Sequence, residues 1–183
     1  MARLHTQDEG SLSAALLKKL EPTRMNGKIA DVYLQFANSE PAVLAYLQME
    51  ASLKKSSLSE LEIESIKLLV SEINQCDYCL AIHTMKSRKA GIDKEMQMAI
   101  RSHRRTSNAR VDALLDIVRA FFEQPGPLSD EQLGKARESG LTDQELVETA
   151  MAVSTIFFTN ITNHINNSQT TVPAAPPVNN TSK

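Results

Sequence analysis

The chain of 183 residues is long enough for one domain with its own hydrophobic core. Its 20 Lys and Arg residues against 22 Asp and Glu residues give a net charge of −2, without the basic surplus typical of nucleic-acid-binding proteins. No apolar stretch approaches the roughly 20 residues that cross a bilayer, and the polar N-terminus lacks the apolar core of a signal peptide. We therefore expect a cytoplasmic protein that binds neither nucleic acid nor membrane.

The sequence predicts an all-α fold, because it has no run of alternating β-branched residues and only 6 glycines. Helices are expected near 11–21, 28–37, 40–54, 59–72, 75–90, 93–103, 107–123, 129–138 and 142–166, with bounds good to a few residues. Three capping boxes mark helix starts: Ser59 with Glu62, Ser129 with Gln132, and Thr142 with Glu145. Beyond residue 166 the chain is rich in Pro, Asn and Thr, which predicts a flexible tail or one laid along a partner subunit.

Both cysteines of the chain lie in the segment QCDYCLAIH, together with a histidine. Cys76, Cys79 and His83 follow at i, i+3 and i+7, so on one helix they share a face. In a reducing compartment, two close cysteines indicate catalysis or metal binding more than a structural staple. A dithiol that can close to a disulfide, beside a proton carrier, has the outline of a redox site.

The chemistry of this segment depends on how the thiols ionise. Asn74 is a plausible N-cap, which would place Cys76 and Cys79 near the positive end of a helix dipole and favour a thiolate. His83 can take or return a proton near neutral pH, and the Tyr78 phenol lies beside both sulfurs. Residues three apart on a helix are close enough for a disulfide, so one thiol could trap a sulfenic acid formed on the other.

Two carboxylates compete to complete this site. Glu72 precedes Cys76 by four residues and would share its face on a continuous helix. Glu64 precedes Cys76 by twelve residues and reaches it only if the chain bends near Asn74. Spacing alone does not choose between them.

The cysteine segment also has four alternative interpretations, which the sequence supports to different degrees. A zinc knuckle would have His83 as third ligand, but no second CxxC or HxxxH motif supplies a fourth. A c-type haem needs His where Leu80 stands, and a thioredoxin fold needs flanking strands that the sequence does not show. Two inert, buried cysteines are the simplest alternative, since free cysteine is among the most buried residue types. His164, at the end of the last predicted helix, is expected to cap carbonyl groups.

The spacing E-x11-C-D-Y-C-x3-H, from Glu64 to His83, resembles the signature of the AhpD-like alkylhydroperoxidases of the carboxymuconolactone decarboxylase superfamily. Residues 128–166 also resemble the C-terminal half of that superfamily, so the resemblance covers 28–166. It implies an N-terminal helical extension over 1–27, an AhpD-like domain over 28–166 and a flexible tail over 167–183. The decarboxylases proper are not expected to carry the cysteine pair, which points to the redox branch.

The resemblance implies an AhpD-like helical bundle that is oligomeric, as a trimer or hexamer. It further implies thiol-dependent peroxide reduction, with Cys79 as the peroxidatic thiol, Cys76 as the resolving thiol, and Glu64 with His83 as the proton relay. Tyr78 stands where the best-studied type has His. Helix-dipole reasoning instead favours Cys76 as the more acidic thiol. We favour Cys79, because a neighbouring base outweighs a partial charge.

The leading functional hypothesis is thus a cytoplasmic antioxidant peroxidase that needs no metal or other cofactor. A thiol or disulfide reductant protein would reopen its disulfide. The alternatives are a general protein-disulfide reductase, a decarboxylase-type lactone enzyme, and a non-catalytic scaffold or zinc-binding module.

Overall fold

The computed structural model describes residues 2–170 and 172–178, and within these ranges the chain forms nine α-helices. Their bounds are α1 Ala14–Leu20, α2 Asp31–Phe36, α3 Glu40–Leu53, α4 Glu60–Ile73, α5 Asp77–Lys89, α6 Lys94–Arg101, α7 Ala109–Glu123, α8 Asp130–Glu138 and α9 Asp143–Asn166. The all-α prediction is confirmed, and each predicted helix has a counterpart. All three predicted capping boxes are also present. None of the described helices has the length and apolar character that a membrane span requires.

A small hairpin interrupts the helical pattern before α2. Two antiparallel strands, β1 (Arg24–Met25) and β2 (Lys28–Ile29), pair across the turn Asn26-Gly27. Both turn residues have positive φ, 51° and 78°, as a two-residue hairpin turn requires. The helix predicted over 28–37 is therefore wrong at its start, and the Asn-Gly pair was the overlooked signal.

Helix α4 is the centre of the main core. Every residue from Glu62 to Ser71 is buried, because α5, α6, α7 and α9 all pack against this helix. The core has apolar members from each of these elements, including Ile66, Leu69, Leu80, Ile100, Leu114 and Ile156. Charged groups on α4 must find partners inside the protein, since an unpaired buried charge is costly. Lys67 pairs with Glu50 of α3 at 2.7 Å.

A second core joins the N-terminal segment to α2 and α3. Leu16 and Leu20 of α1 are buried there with Val43 of α3. Phe158 of α9 packs on this core, with its ring centroid 5.7 Å from that of Phe36. Helix α9 thus contacts both cores. The domain division at residue 27 stays a prediction.

The described residues after α9 lie against their own subunit. Asn167 ends α9 in the left-handed conformation, and residues 172–178 have no regular secondary structure. Ala175 packs against the main core, and Arg101 donates from Nη1 to the Pro176 carbonyl at 2.6 Å. The prediction of a flexible tail over 167–183 remains a prediction, and its residues 171 and 179–183 lie outside the described residues.

Candidate active site

A sharp turn between α4 and α5 places the cysteines. Asn74 is the C-cap of α4, and Gln75 follows it with a φ of 52°. The Cys76 N–H donates to the Ser71 carbonyl at 3.0 Å, and the Gln75 N–H donates to the Glu72 carbonyl at 3.0 Å. This pair of hydrogen bonds is a Schellman motif, which ends one helix and redirects the chain into the next.

Cys76 itself begins α5. Its Sγ accepts a hydrogen bond of 3.3 Å from the Cys79 N–H, the contact that an N-cap side chain makes. The expectation that Asn74 caps this helix is therefore wrong. The Asn74 side chain instead donates to Val70 and to Asn160 of α9. The cap position still places Cys76 at the positive end of the α5 dipole.

The two cysteines form a disulfide, with their Cα atoms 5.2 Å apart. Both are buried, with relative exposures of 2% and 3%. Cys79 lies in the wall of a cavity, whereas Cys76 is not among the described residues that line it. Asn163 of α9 donates from Nδ2 to Cys79 Sγ at 3.3 Å.

The bend brings a carboxylate of α4 to the histidine of α5. Glu64 Oε2 lies 2.7 Å from His83 Nδ1, and both side chains are buried. Glu72 points elsewhere and pairs with Arg101 of α6 at 2.5 Å. The structure therefore joins Glu64, not Glu72, to His83, while the catalytic roles of these residues remain predictions.

Burial and charge together set the protonation of this pair. Burial lowers the pKa of His83 below its ordinary value, and this outweighs the attraction of Glu64. Burial by itself would raise the pKa of Glu64, yet that pKa is lowered, because His83, Lys67 and Lys86 favour the carboxylate. We assign a carboxylate and a neutral imidazole whose Nδ1–H donates to Glu64. This tautomer leaves the lone pair on Nε2, so His83 can act as a base.

The cavity beside the disulfide has a volume of about 470 Å³ and is lined by residues of both cores. His83, Cys79 and Tyr78 lie in its wall with Asn163. The rest of the wall is mixed. Its aromatic and larger apolar members are Val32, Tyr33, Phe36, Tyr46, Ile82, Met85 and Val172, and its polar members include Asp31, Gln35 and Lys86. Burial, followed by the nearby Asp31 carboxylate, raises the pKa of Tyr78, so its phenol stays neutral near pH 7. The cavity can admit a small molecule to Cys79 and to the histidine together.

A column of three buried amides on α9 was missed by the sequence reasoning. Asn160, Asn163 and Asn166 are buried at intervals of three residues, although His164 between them is exposed. Asn160 accepts from Asn74 at the turn, and Asn166 accepts from the main-chain N–H groups of residues 3 and 4. Asparagine at i, i+3 and i+6 of a core-facing helix was the available signal, because buried amides need specific partners. Among the described residues, no group of three or more His, Cys, Asp or Glu side chains could hold a metal ion.

A model of the carboxymuconolactone decarboxylase family matches residues 41–121, which include both cysteines and both members of the carboxylate–histidine pair. No curated protein sequence matches the chain. The similar solved structures include two with identities of 25% or more. An uncharacterized peroxidase-related protein from Silicibacter sp. TM1040 is 25% identical, with a TM-score of 0.69 over 88% of this chain and 85% of its own.

The second structure is a protein of unknown function from Agrobacterium tumefaciens, named as a candidate antioxidant defence protein AhpD. It is 27% identical, with a TM-score of 0.67 over 75% of this chain and 95% of its own. The debrominase Bmp8 is similar in fold alone, with 18% identity and a TM-score of 0.73 over 92% of each chain.

Proposed function

We propose that this chain, which belongs to the carboxymuconolactone decarboxylase superfamily as an AhpD-like member, is a thiol-dependent peroxidase. The observation that carries the proposal is the hydrogen bond between Glu64 and His83, because the His83 ring lies in the wall of the same cavity as Cys79. A base oriented by a carboxylate beside a redox-active sulfur is the arrangement that activates a thiol for attack.

The first step consumes the peroxide. In the reduced protein, His83 takes the proton of the Cys79 thiol through Nε2 while Glu64 holds Nδ1–H. The thiolate attacks the terminal oxygen of the hydroperoxide, so an S–O bond forms and the O–O bond breaks. The leaving alkoxide takes the proton from His83 and departs as an alcohol, or as water when the substrate is hydrogen peroxide. Cys79 becomes a sulfenic acid.

The second step closes the disulfide. The Cys76 sulfur attacks the Cys79 sulfenic acid, so an S–S bond forms and the S–O bond breaks, and the hydroxyl takes the proton of the Cys76 thiol and leaves as water. The Cα atoms of the two cysteines already lie 5.2 Å apart, within the range for a disulfide. The resolving thiol therefore competes well with further oxidation of Cys79.

An external dithiol, supplied by a thiol or disulfide reductant protein, completes the cycle. It provides two electrons by exchange with the Cys76–Cys79 disulfide and is itself oxidised to a disulfide. No metal or other cofactor takes part in this scheme. The proposal places the enzyme in the cytoplasm, where thiol reductants are abundant.

The proposal gives Tyr78 a role in orienting the substrate, because its neutral phenol lies in the cavity wall one residue before Cys79. Glu72 has a supporting role, since it holds Arg101 against the chain after α9.

We also propose that the chain forms a trimer or hexamer. Helix α9 exposes apolar side chains at intervals of four residues, and Phe157, Ile161 and Ile165 are 38–56% exposed. An exposed apolar stripe of this kind marks a surface for association, because its burial removes apolar area from water.

The test is a thiol titration of the reduced, full-length protein with one equivalent of hydrogen peroxide or an alkyl hydroperoxide. The proposal expects the loss of two thiols per chain, one equivalent of alcohol from an alkyl hydroperoxide, and sustained turnover when a dithiol is supplied. Retention of both thiols would refute it. Reduction of protein disulfides without peroxide consumption would favour a disulfide reductase, and activity that survives loss of both thiols would favour decarboxylase-type chemistry.

A further inference from the structure

Asn163 is the one side-chain partner of Cys79 Sγ among the described residues, apart from the disulfide itself. It lies on α9 and is 5% exposed, and it lines the same cavity as Cys79 and His83. Its Nδ2 is 3.3 Å from the sulfur, while its Oδ1 is buried and accepts no hydrogen bond from the described residues. A buried acceptor is normally satisfied, so this free oxygen points to a ligand that comes and goes.

The orientation of the amide follows from the chemistry of its partner. A disulfide sulfur has no hydrogen and can only accept, so the amide N–H must face Cys79. The carbonyl oxygen is then the free end of the side chain. The structure thus places a donor on the sulfur and an unused acceptor beside it.

We propose that Asn163 is a catalytic residue of the peroxidase reaction, an inference that rests on the function proposed above. Its amide N–H stabilises the Cys79 thiolate, and its carbonyl oxygen accepts the hydrogen of the peroxide hydroxyl that the thiolate attacks. A hydrogen bond to an ionised acceptor is stronger than one to a neutral acceptor, so the N–H favours the reactive form of the thiol.

The acceptor serves the same hydroxyl before and after the attack. In the step R–O–O–H plus thiolate, the sulfur bonds to the oxygen that carries the hydrogen, and the alkoxide leaves with a proton from His83. That hydroxyl remains on Cys79 as the sulfenic acid, with its hydrogen still directed to Asn163 Oδ1. Attack by Cys76 then releases this oxygen as water and frees the acceptor again.

Asn163 also affects which of the two cysteines attacks the peroxide. Among the described residues, each sulfur has one N–H donor: Cys76 Sγ accepts from the Cys79 main chain, and Cys79 Sγ accepts from Asn163. The main-chain donor and the helix dipole favour a thiolate on Cys76. The side-chain donor offsets that preference at Cys79, which alone of the two lines the cavity.

The thiolate part is tested by the rate of alkylation of Cys79 with iodoacetamide as a function of pH, in the Cys76→Ser background. We expect Asn163→Ala to raise the thiol pKa by about one unit, since a hydrogen bond to a charged group has that order of effect. Asn163→Asp, which keeps the shape and adds a negative charge, is expected to raise it further. Asn160→Ala removes a neighbouring buried amide without touching the sulfur and should leave this pKa unchanged.

The acceptor part is tested by kcat/KM for an alkyl hydroperoxide at a pH where Cys79 is fully ionised in every variant. We expect Asn163→Ala to remain at least about tenfold slower there, whereas Asn160→Ala matches the unsubstituted protein. A thiol pKa unchanged in both Asn163 variants, or full recovery of the rate at high pH, would overturn the inference. If the unsubstituted protein reduces no peroxide, the proposed function fails, while the alkylation profile still measures whether Asn163 acts on Cys79.

Discussion

Two carboxylates on α4, only two residues apart, differ in what they are joined to. Glu62 belongs to a network at the helix starts that consists of Glu62, Arg110 and Glu145, with Arg110 Nε 2.7 Å from Glu62 Oε1. Since Glu62, Arg110 and Glu145 lie near the starts of α4, α7 and α9, the network holds these three helix starts together. Arg110 also donates to the Gly140 carbonyl. Glu64 faces the other way and forms the buried pair with His83.

The two regions differ in whether all of their polar atoms have hydrogen-bond partners. In the helix-start network, Glu62 Oε2 also accepts from the Ser59 N–H and hydroxyl. In the Glu64–His83 pair, His83 Nε2 makes no hydrogen bond with the described residues, and the ring lines the cavity. Saturated charges hold helices in place, whereas a buried pair with one free basic atom is available for chemistry.

We expect the largest effect from substitution of Cys79, the proposed thiol partner of the Glu64–His83 pair. Cys79→Ser should abolish peroxide turnover, because the serine hydroxyl is a far weaker nucleophile than a thiolate. Cys76→Ser should instead allow a single turnover and leave a sulfenic acid on Cys79. Mass spectrometry after limiting peroxide distinguishes the two. Sulfenic acid on Cys76 in Cys79→Ser, with none in the converse variant, would reverse the assignment.

A matched pair of substitutions tests the contrast directly. Glu64→Gln should lower kcat/KM by roughly 10²-fold, because the carboxylate no longer orients His83 as a base. Glu62→Gln should leave kcat/KM unchanged and weaken the capping of α4 instead. Steady-state kinetics and urea unfolding of both variants give the comparison. A similar loss of activity in both would show that Glu64 acts only through stability.

The helix-start network should respond in stability alone. Arg110→Ala removes three hydrogen bonds and leaves two carboxylates facing each other, and should lower the free energy of unfolding by about 1–2 kcal/mol. The value stays in this range because Arg110 is partly exposed and water screens its charge. Urea unfolding measures the change. An unchanged midpoint would mean that water replaces the arginine without cost.

One group from each region, His83 and Glu62, should also respond to pH in different ranges. The pKa of His83 is lowered by burial, so below its ordinary value of 6.5 the unfolded chain takes up a proton that the folded chain refuses. Stability should therefore fall as the pH drops below 6.5, and His83→Gln should remove that part of the loss. Burial by itself would raise the pKa of Glu62, yet that pKa is lowered, because Ser59 and Arg110 donate hydrogen bonds to the carboxylate. The contribution of Glu62 to stability is therefore lost only as the pH falls below 4.5. Urea midpoints between pH 7 and about pH 3 separate the two ranges.

The smallest effect is expected at the carboxylate that sequence spacing had put forward as an alternative. Glu72→Gln keeps a hydrogen-bond acceptor for Arg101 and lies outside the Glu64–His83 pair, so peroxide turnover should be unchanged. Steady-state kinetics beside Glu64→Gln provide the check. A rate loss comparable to that of Glu64→Gln would return Glu72 to the mechanism.

Helix positions were well predicted because the apolar period and the capping boxes are local properties of the sequence. The end of α4 was harder to predict from the sequence, because Gln75 adopts a left-handed conformation that glycine or asparagine usually takes. Asn74 also resembled the N-cap of the next helix, whereas it is the C-cap of α4. The choice between Glu64 and Glu72 depended on that turn. It required either coordinates or the family resemblance.

Asn163 could not be identified from spacing to the cysteines, because 84 residues separate it from Cys79. Its contact depends on how α9 packs across both α4 and α5, which is a property of the tertiary fold. The hairpin at Asn26-Gly27 was different, because its signal was local and was overlooked.

The turn before α5 lowers the conformational free energy needed to open and close the disulfide. The main-chain hydrogen bonds donated by Gln75 and Cys76 fix this turn through carbonyl acceptors, so the turn does not depend on the disulfide bond. The four-residue ring that the disulfide closes, residues 76–79, thus begins at a fixed turn, so opening and closing it need change only side-chain torsions and little chain entropy. The amide hydrogen of Cys76 should then exchange with deuterated solvent at the same slow rate in the dithiol and disulfide forms.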